Sequence, residues 1–495
     1  MSKHHLNPFD FVPFANETPD LKTVEQWRSL DPQGVVTGYF ELQIEASTPV
    51  HIVGRQDNAT SNGHKLSQSH FCRRGNQALI PGSSIRGLLR AFIEAACNGW
   101  ASQMTPHYEK KPSVRHVGFR VIKDSGETAA QTTKLNVDER LGVALPAKFA
   151  PVVASDNKVD LASFLFGYVS PQSNAWRGAV RIVDALIPID TLAFAGPAGS
   201  YLIPDIDDSA FMGGPKPSAS SWWYMHPHSV RLRRTSKGAT SEFIGQGFRG
   251  RKFYYHQNPQ RCVAWYGGRN ASGKPNWPTR EAHPLYTYPV ECLPAGAKTQ
   301  AFRAYFEEIP EACLQLLLWA LSPGNRLRHK IGYGKAYGYG SIAIETVGGS
   351  FRASRFSDPP LQPILARKDA IHAALWHREQ LGNQGVGGFL HWPSLEKLAK
   401  ILWWDENSSL LFTYPPFKDG GFLPSVRPNQ LTDLLPDKDA EDFERGAPIG
   451  LKKRGDILAR KLAENNLRPA LHFDVYQRNS SDFAAVDNRK LENAI

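Results

Sequence analysis

The segment KIGYGKAYGYG, residues 330–340, combines residue types that bind phosphate groups and nucleobases. Its glycines allow a backbone to approach a ligand closely or to adopt positive φ. Successive amide groups in such a loop can form a concave anion site, and tyrosine rings offer stacking faces for bases. The glycines are Gly332, Gly334, Gly338 and Gly340, the lysines Lys330 and Lys335, and the tyrosines Tyr333, Tyr337 and Tyr339.

This loop does not match the glycine-rich motifs of common nucleotide-binding enzymes. It lacks the spacing GxxxxGK followed by Ser or Thr, and it lies between a predicted helix and a predicted strand. A P-loop or Rossmann site needs the opposite order, strand then helix. Tight turns also use glycine, so the loop alone is weak evidence for a binding site. A metabolic enzyme with a phosphate-binding loop stays as an alternative function.

The segment IPGSSIRG, residues 80–87, predicts a helix start that favours anions. Free amide groups and the helix macrodipole attract phosphate at such a position. Gly82 belongs to the turn, Ser83 or Ser84 is expected to cap the helix, and Arg86 adds a positive charge. A capped helix needs no ligand, so this segment is informative only together with the glycine-rich loop.

A third segment, 231–256, is rich in positive charge and interleaved with aromatic residues. Charge combined with stacking rings is typical of single-stranded nucleic-acid binding, although a solvated basic loop has the same composition. The formal net charge of the chain, +11, also favours a polyanionic partner. The basic residues are Arg231, Arg233, Arg234, Lys237, Arg249, Arg251 and Lys252, and the aromatic ones Phe248, Phe253, Tyr254 and Tyr255.

Hydrophobic periodicity predicts the elements that position these segments. Period-two alternation indicates strands at 38–46, 179–189, 301–307 and 340–347. Apolar residues at helical spacing indicate helices within 80–99 (ending at Gly99) and at 310–321, 363–381 and 393–404. Residues 53–77 have no usable periodicity and are predicted to be a loop.

This order predicts an α+β fold with a ferredoxin-like (RRM-type) βαββαβ core. In that core the first helix start and the last strand lie near one another, so the two anion-binding segments would meet. The expected divisions are an N-terminal segment 1–35, a core domain 36–349 with insertions at about 100–178 and 190–298, and a partly helical C-terminal extension 350–495.

Several function classes find no support in the sequence. No run of about 18 apolar residues predicts a membrane span, and the N-terminus does not resemble a secretory signal. Five scattered cysteines favour a reducing cytoplasm over a disulfide framework. HExxH, GxSxG and clustered zinc-ligand motifs are missing, so no metal site is predicted.

The combined motifs resemble the RAMP superfamily of CRISPR-associated proteins. IPGSSIRG and GYGKAYGYG are similar to the family's helix start and glycine-rich loop, and SFLFGYVSPQSNAWRGAVRIVDA (163–185) to its Leu-Phe-Gly segment. GPKPSASSWWY (214–224) and GRKFYYHQ (250–257) are similar to a long, type III-associated RAMP subfamily. The resemblance covers about 36–347.

The resemblance implies a guide-RNA-binding subunit of a type III CRISPR effector complex in antiviral defence. Its implied partners are guide RNA, target RNA and other subunits of the complex. By resemblance, Gly82, Ser83, Ser84, Arg86, Lys330, Lys335 and the loop glycines would contact the guide backbone, with Tyr333 beside them. The basic segment adds Arg249, Arg251, Lys252 and Tyr254 as RNA-binding candidates.

Whether the protein cuts RNA stays open at this point. Family members that cut target RNA use an aspartate in the loop after the first strand, whereas residues 65–84 contain no acid. Asp57 and His70 are the nearest catalytic candidates, and a divalent metal such as Mg²⁺ is implied only if target RNA is cleaved. The alternative activity, processing of the guide precursor, needs a general base, for which His70, His51 and His329 are candidates.

Overall fold

The computed structural model describes a mixed α/β fold whose sheets are mainly antiparallel. It describes residues 8–31, 34–61, 64–102, 119–120, 147–149, 157–169, 175–206, 230–235, 238–243, 250–269, 285–324, 326–353, 362–363, 388–408 and 411–412. The helices of these residues are α1 Val24–Arg28, α2 Gly82–Ala96, α3 Leu161–Phe166, α4 Pro259–Gly267, α5 Glu311–Leu321 and α6 Trp392–Leu402.

The strands are numbered in chain order, and three short 3-10 helices lie at Ala147–Phe149, Ile189–Thr191 and Lys335–Tyr337. The strands are β1 Phe9–Val12, β2 Val35–Ala46, β3 Val53–Ser61, β4 His64–Phe71, β5 Arg73–Arg74, β6 Gln77–Ile80, β7 Phe119–Arg120, β8 Tyr168–Val169, β9 Ala175–Trp176, β10 Val180–Ile182, β11 Ala185–Ile187, β12 Ala195–Gly196, β13 Gly199–Ser200, β14 Leu202–Ile206, β15 Val230–Thr235, β16 Gly238–Phe243, β17 Arg251–Tyr254, β18 Leu285–Pro289, β19 Phe302–Pro310, β20 His329–Lys330, β21 Ser341–Ala353 and β22 Gln362–Pro363.

A central antiparallel sheet organises the core, with strand order β10-β19-β2-β21-β20 and β22 paired to β21. Phe40, Leu42 and Ile44 alternate along β2 on its buried face, as the period-two pattern requires. The ring of Phe92 on α2 lies 5.2 Å from that of Trp319 on α5. Both helices therefore share one apolar core with the sheet.

Most of the predicted elements are confirmed. The strands expected at 38–46, 301–307 and 340–347 are Val35–Ala46, Phe302–Pro310 and Ser341–Ala353. The helices expected at 310–321 and 393–404 are Glu311–Leu321 and Trp392–Leu402. The helix expected at 363–381 lies, from residue 364 onward, outside the described residues.

The prediction of a loop over 53–77 is wrong. Val53–Ser61 and His64–Phe71 form an antiparallel hairpin, followed by the short strands β5 and β6. The side chains of residues 53–57 are exposed or half-buried. Because neither face of residues 53–57 is deeply buried, this part of the strand carries no apolar alternation to detect.

The strand predicted over 179–189 is divided between two sheets. Val180–Ile182 pairs with β19, whereas Ala185–Ile187 pairs with β6. At the break between the two strands, Val183 is exposed and the Asp184 carboxylate lies at the start of α2, where it accepts from the Gly82 amide.

The predicted serine cap of α2 is also wrong. The helix begins at Gly82, with Pro81 as its N-cap and no capping side chain from Ser83 or Ser84. The Gly82 amide instead donates to the carboxylate of Asp184 at 2.9 Å, and Arg74 pairs with the same carboxylate at 2.8 Å. The helix ends at Ala96, three residues before the predicted stop.

Shorter sheets flank this core, and helix α6 packs into it. Strand β1 pairs with β17, and β14 pairs with β18. The His391 amide before α6 donates to the Ala96 carbonyl at 2.8 Å, and Lys397 on α6 pairs with the buried Asp10 at 2.6 Å. Among the described residues, no helix has the length and apolar character needed to cross a membrane.

We predict that Asp184→Ala lowers the free energy of unfolding by about 1 kcal/mol, because the first amide of α2 loses its acceptor. Asp184→Asn keeps an oxygen acceptor at this position and should cost less. Urea denaturation of the two variants measures the difference. Equal losses in both would contradict a capping role for this side chain.

Candidate nucleic-acid interface

The glycine-rich loop is a closed turn that depends on four left-handed backbone positions. Gly332, Gly334, Gly338 and Gly340 have φ values of 81°, 73°, 93° and 80°, a region that L side chains rarely adopt. The Ile331 amide donates to the Gly340 carbonyl at 2.8 Å and closes the turn. The expectation that these glycines provide positive φ is confirmed.

The loop is fixed against residues 48–51, directly after β2. The Tyr333 amide donates to the His51 carbonyl at 2.8 Å, and the Gly340 amide donates to the Pro49 carbonyl at 2.9 Å. The Thr48 hydroxyl donates to the Gly338 carbonyl at 2.8 Å. The loop therefore has one defined position relative to the central sheet.

One side of the loop faces the protein interior. Tyr337 and Tyr339 are each 2% exposed, so they are core residues and not the stacking faces that the sequence predicts. The Lys330 ammonium donates to the Tyr339 carbonyl at 3.0 Å, and burial lowers the pKa of Lys330 well below its usual value. Lys330 is thus directed into the loop's own backbone.

The other side of the loop meets strand β17 in a cluster formed by Lys252, Tyr254 and Lys335. The Lys335 ammonium lies 5.5 Å from the centroid of the Tyr254 ring, and the Lys252 ammonium lies 4.9 Å from it. Lys252 also lies 3.8 Å from the Phe9 ring centroid. The structure therefore joins two segments that are distant in sequence into one patch of cations and rings.

Burial destabilises the charged lysines in this cluster. Burial, together with the nearby charge of Lys335, lowers the pKa of Lys252 to about 7. Burial also lowers the pKa of Lys335. A bound phosphate would stabilise both ammonium groups, because an opposite charge favours the ionised form.

The helix start of α2 presents a smaller anion-binding surface than the sequence predicts. Ser83 and Arg86 are exposed and Ser84 is half-buried. Gly82 is buried, and its amide is already occupied by the carboxylate of Asp184. Only the outer residues of this turn face solvent.

Three backbone hydrogen bonds connect the glycine-rich loop to the strand that precedes α2. Tyr333 donates to the carbonyl of His51, Cys72 to that of Ile52 at 2.9 Å, and Leu79 to that of Cys72 at 3.1 Å. The loop and the helix start are therefore held in one hydrogen-bonded layer.

Arg251 occupies a different environment from Lys252. Its side chain is 7% exposed and lies between the rings of Phe14 and Phe149, at 4.8 and 5.4 Å from their centroids. It donates to the Gly99 carbonyl, and burial lowers its pKa to about 10. In this arrangement Arg251 contributes to packing. Arg249 lies outside the described residues.

The two catalytic candidates are brought together on the β3–β4 hairpin. The Nε2 atom of His70 lies 2.9 Å from the Asp57 carboxylate, and its Nδ1 atom lies 3.7 Å from the Glu291 carboxylate. Hydrogen bonds from Arg55 and His70 lower the pKa of Asp57. The imidazole is one-quarter exposed, so a substrate could reach it.

Glu291 is a site residue that the sequence did not indicate. Burial raises its pKa, but hydrogen bonds from Arg73 (2.6 and 2.8 Å) and from the Phe71 amide outweigh this effect, so its net pKa is lowered. No local pattern marks Glu291, since its partners lie more than 200 positions earlier. In the described part of the chain, no group of three or more His, Cys, Asp or Glu side chains is placed to hold a metal ion.

The other two histidine candidates are buried. The ring nitrogens of His51 lie 2.7 Å from the Glu291 carbonyl and 2.9 Å from the Ser69 hydroxyl, and burial lowers its pKa. His329 bonds to the Ala320 carbonyl at 2.8 Å, and burial lowers its pKa to about 4. Of the three candidates, His70 is the one with solvent access.

Comparison with known families gives the family of this chain. The model of the RAMP superfamily matches residues 43–343, which is more than half of the chain. The chain belongs to the RAMP superfamily.

The RAMP match spans the helix start, strand β17 and the glycine-rich loop. No curated protein sequence matches the chain. Among solved structures, a chain described as a Type IV-B CRISPR Complex matches with 14% identity and a TM-score of 0.22. That match covers 65% of this chain and 94% of the other.

For this RAMP protein we predict that Gly340→Ala destabilises the fold by roughly 3 kcal/mol or more. A Cβ at Gly340 would lie 1.9 Å from the Ile331 carbonyl oxygen, in addition to the strain of its positive φ. Gly296→Ala is the matched control, because Gly296 has the same φ of 80° and open space around it. The control should lose about 1 kcal/mol in urea denaturation, and equal losses would contradict the close approach inside the loop.

Proposed function

We propose that this protein is a guide-RNA-binding subunit of a type III CRISPR effector complex. The observation that carries the proposal is the cluster of Lys252, Tyr254 and Lys335, where two partly buried ammonium groups share one tyrosine ring. Such a patch offers both the charge and the stacking face that single-stranded RNA requires. Membership of the RAMP superfamily supports the same function.

The fold proposed for this function is a ferredoxin-like βαββαβ core. Its elements in chain order are β2, α2, β10, β19, α5 and β21, and the antiparallel order β10-β19-β2-β21 supports this assignment. The proposed core domain spans 36–349 with insertions at about 100–178 and 190–298, between an N-terminal segment 1–35 and an extension 350–495. The division of the chain is part of the proposal.

The proposed RNA path runs over the outer side of the glycine-rich loop. Lys335 and Lys252 bind phosphates and Tyr254 stacks on a base, with Tyr333 beside them. Ser83, Ser84 and Arg86 continue the path at the start of α2. Gly82 and the loop glycines, with Lys330 behind them, give this surface its shape and not its charge. Arg251 packs between Phe14 and Phe149 and supports strand β17.

The remaining partners of the proposal are target RNA and other subunits of the complex, in antiviral defence. A reducing cytoplasm is the proposed compartment. All five cysteines are free thiols, which supports that choice.

We predict that Lys335→Ala and Lys252→Ala each weaken binding of single-stranded repeat RNA on the order of tenfold. Each lost phosphate contact should also reduce the slope of log K against log salt by about 0.7. Lys298→Ala is the control, since this exposed lysine pairs with Glu45 at 3.1 Å, away from the cluster. Fluorescence anisotropy at several salt concentrations measures both effects.

The same titration should depend on pH. The free protein loses the charge of Lys252 as the pH rises through about 7, whereas phosphate binds the charged form. Affinity should therefore fall between pH 6 and pH 8 in the wild type and fall less in Lys252→Ala.

Sequencing the RNA that copurifies from the host tests the proposal directly, and absence of repeat-derived guides would refute it.

A second candidate function, RNA endonuclease, is favoured by the 2.9 Å contact between His70 and Asp57. In this candidate Asp57 orients the imidazole through Nε2, and Nδ1 takes the proton from a ribose 2′-hydroxyl. The 2′-oxygen then attacks phosphorus, and the 5′-oxygen leaves with a proton from water. Glu291 stabilises the resulting imidazolium. Guide-precursor processing needs no metal in this scheme, whereas target cleavage through Asp57 would use Mg²⁺.

If this candidate is right, His70→Ala lowers the rate of RNA cleavage by about 10²- to 10⁴-fold, the usual contribution of a general base. Asp57→Asn should lower it less, because the amide oxygen can still accept from the imidazole. His391→Ala is the control, since His391 pairs with Glu17 at 3.3 Å outside this site. The assay follows labelled repeat RNA in EDTA and labelled target RNA with Mg²⁺ and bound guide. No cut in either reaction rules the candidate out.

A further inference from the structure

A cavity of about 420 Å³ lies outside the proposed RNA path, and nothing above assigns it a role. It is lined by Arg326, Arg328, Trp404 and Glu406. The first two residues precede strand β20, and the other two follow α6. The volume is within the range of small-ligand sites, roughly 300–1,000 Å³.

The two walls of this cavity are joined through their backbones. The Arg328 amide donates to the Leu402 carbonyl at 3.1 Å, and the Trp404 amide donates to the Arg326 carbonyl at 2.6 Å. Leu327 forms an isolated antiparallel bridge with Trp403 between them. The two backbone segments that carry the lining side chains are therefore held together before any ligand binds, which reduces the entropic cost of binding.

The charges of the cavity favour an anion. Arg328 is half-buried and held by the Ser47 hydroxyl at 3.2 Å and the Leu327 carbonyl at 2.9 Å. Burial lowers the pKa of Arg328, and the carboxylates of Glu45 and Glu406 oppose this shift. Among the four lining residues, two arginines face one carboxylate, and Arg326 is exposed to solvent.

Trp404 provides an aromatic surface beside these arginines. Its ring is perpendicular (87°) to that of His256, with centroids 5.6 Å apart. His256 is itself buried and held by the Ser341 hydroxyl at 2.8 Å and the Arg328 carbonyl at 3.0 Å. The indole is therefore supported from behind while it lines the cavity.

We propose that this cavity binds one nucleotide unit, with the base stacked on Trp404 and the phosphate on Arg326. A fixed indole beside a guanidinium matches the two chemical parts of a nucleotide. The unit has two sources, a free nucleoside monophosphate or one residue of a single-stranded RNA. Binding of an RNA residue rests on the proposed function, because the cavity residue Arg328 lies two residues before the glycine-rich loop of the proposed RNA path. Binding of a free nucleotide does not rest on the proposed function.

The test is calorimetric titration of the full chain with AMP and with a 5′-phosphorylated single-stranded RNA. Trp404→Leu and Arg326→Ala should weaken binding of AMP on the order of tenfold each, while Trp404→Phe, which keeps an aromatic ring, should retain most of it. Arg177→Ala is the control, because Arg177 is an exposed arginine that does not line the cavity. Its guanidinium lies 3.9 Å from the Glu307 carboxylate. Thermal denaturation confirms that each variant is folded.

The outcomes separate this proposal from the proposed function. Tenfold loss of AMP binding in the two cavity variants, with the control unchanged, supports a free-nucleotide site whether or not RNA binds. Loss confined to RNA binding supports the RNA source. If neither ligand distinguishes the cavity variants from the control, the proposal is overturned, even where Lys335→Ala still weakens RNA binding. If no variant weakens RNA binding while the two cavity variants still weaken AMP binding, the proposed function alone is overturned.

Discussion

The hydrogen bond between the Ile331 amide and the Gly340 carbonyl is the constraint on which the rest of the site depends. It closes a turn that only glycines can form at four positions, and the closed turn presses against residues 48–51. From that position the chain enters β21 in register with β2, and Lys335 projects toward strand β17. One backbone contact therefore sets both the sheet and the surface proposed for RNA.

The loop has two faces with opposite roles. Lys330, Tyr337 and Tyr339 point inward. The Lys330 ammonium and the Tyr339 hydroxyl donate to backbone carbonyls, and the two tyrosine rings fill the core. Lys335 faces outward, partly desolvated beside Lys252. The charge of Lys335 lowers the pKa of Lys252, and a phosphate bound at the proposed RNA surface would relieve that repulsion.

The sequence predicted the elements that have a strong apolar pattern. Strand β2 was found because its apolar residues alternate, and helix α5 was found because it is a long apolar run after Pro310, buried on nearly every side. The β3–β4 hairpin was missed because its residues 53–57 are largely solvated on both faces. Asp184 at the start of α2 and Glu291 beside His70 were missed for another reason. Each acts on a residue about a hundred or more positions away, and no local pattern records such a contact.

The pairing of β2 has a consequence for biosynthesis. Both of its neighbours, β19 and β21, are encoded about half the chain later. At 5–20 residues per second, the ribosome needs on the order of tens of seconds to supply them. During that interval β2 has no partner strand on either edge, so its edges are open to other strands, although α2 is already available to cover its apolar face. Until the second half emerges, these open edges make β2 the part of the nascent sheet that is exposed to incorrect strand pairing.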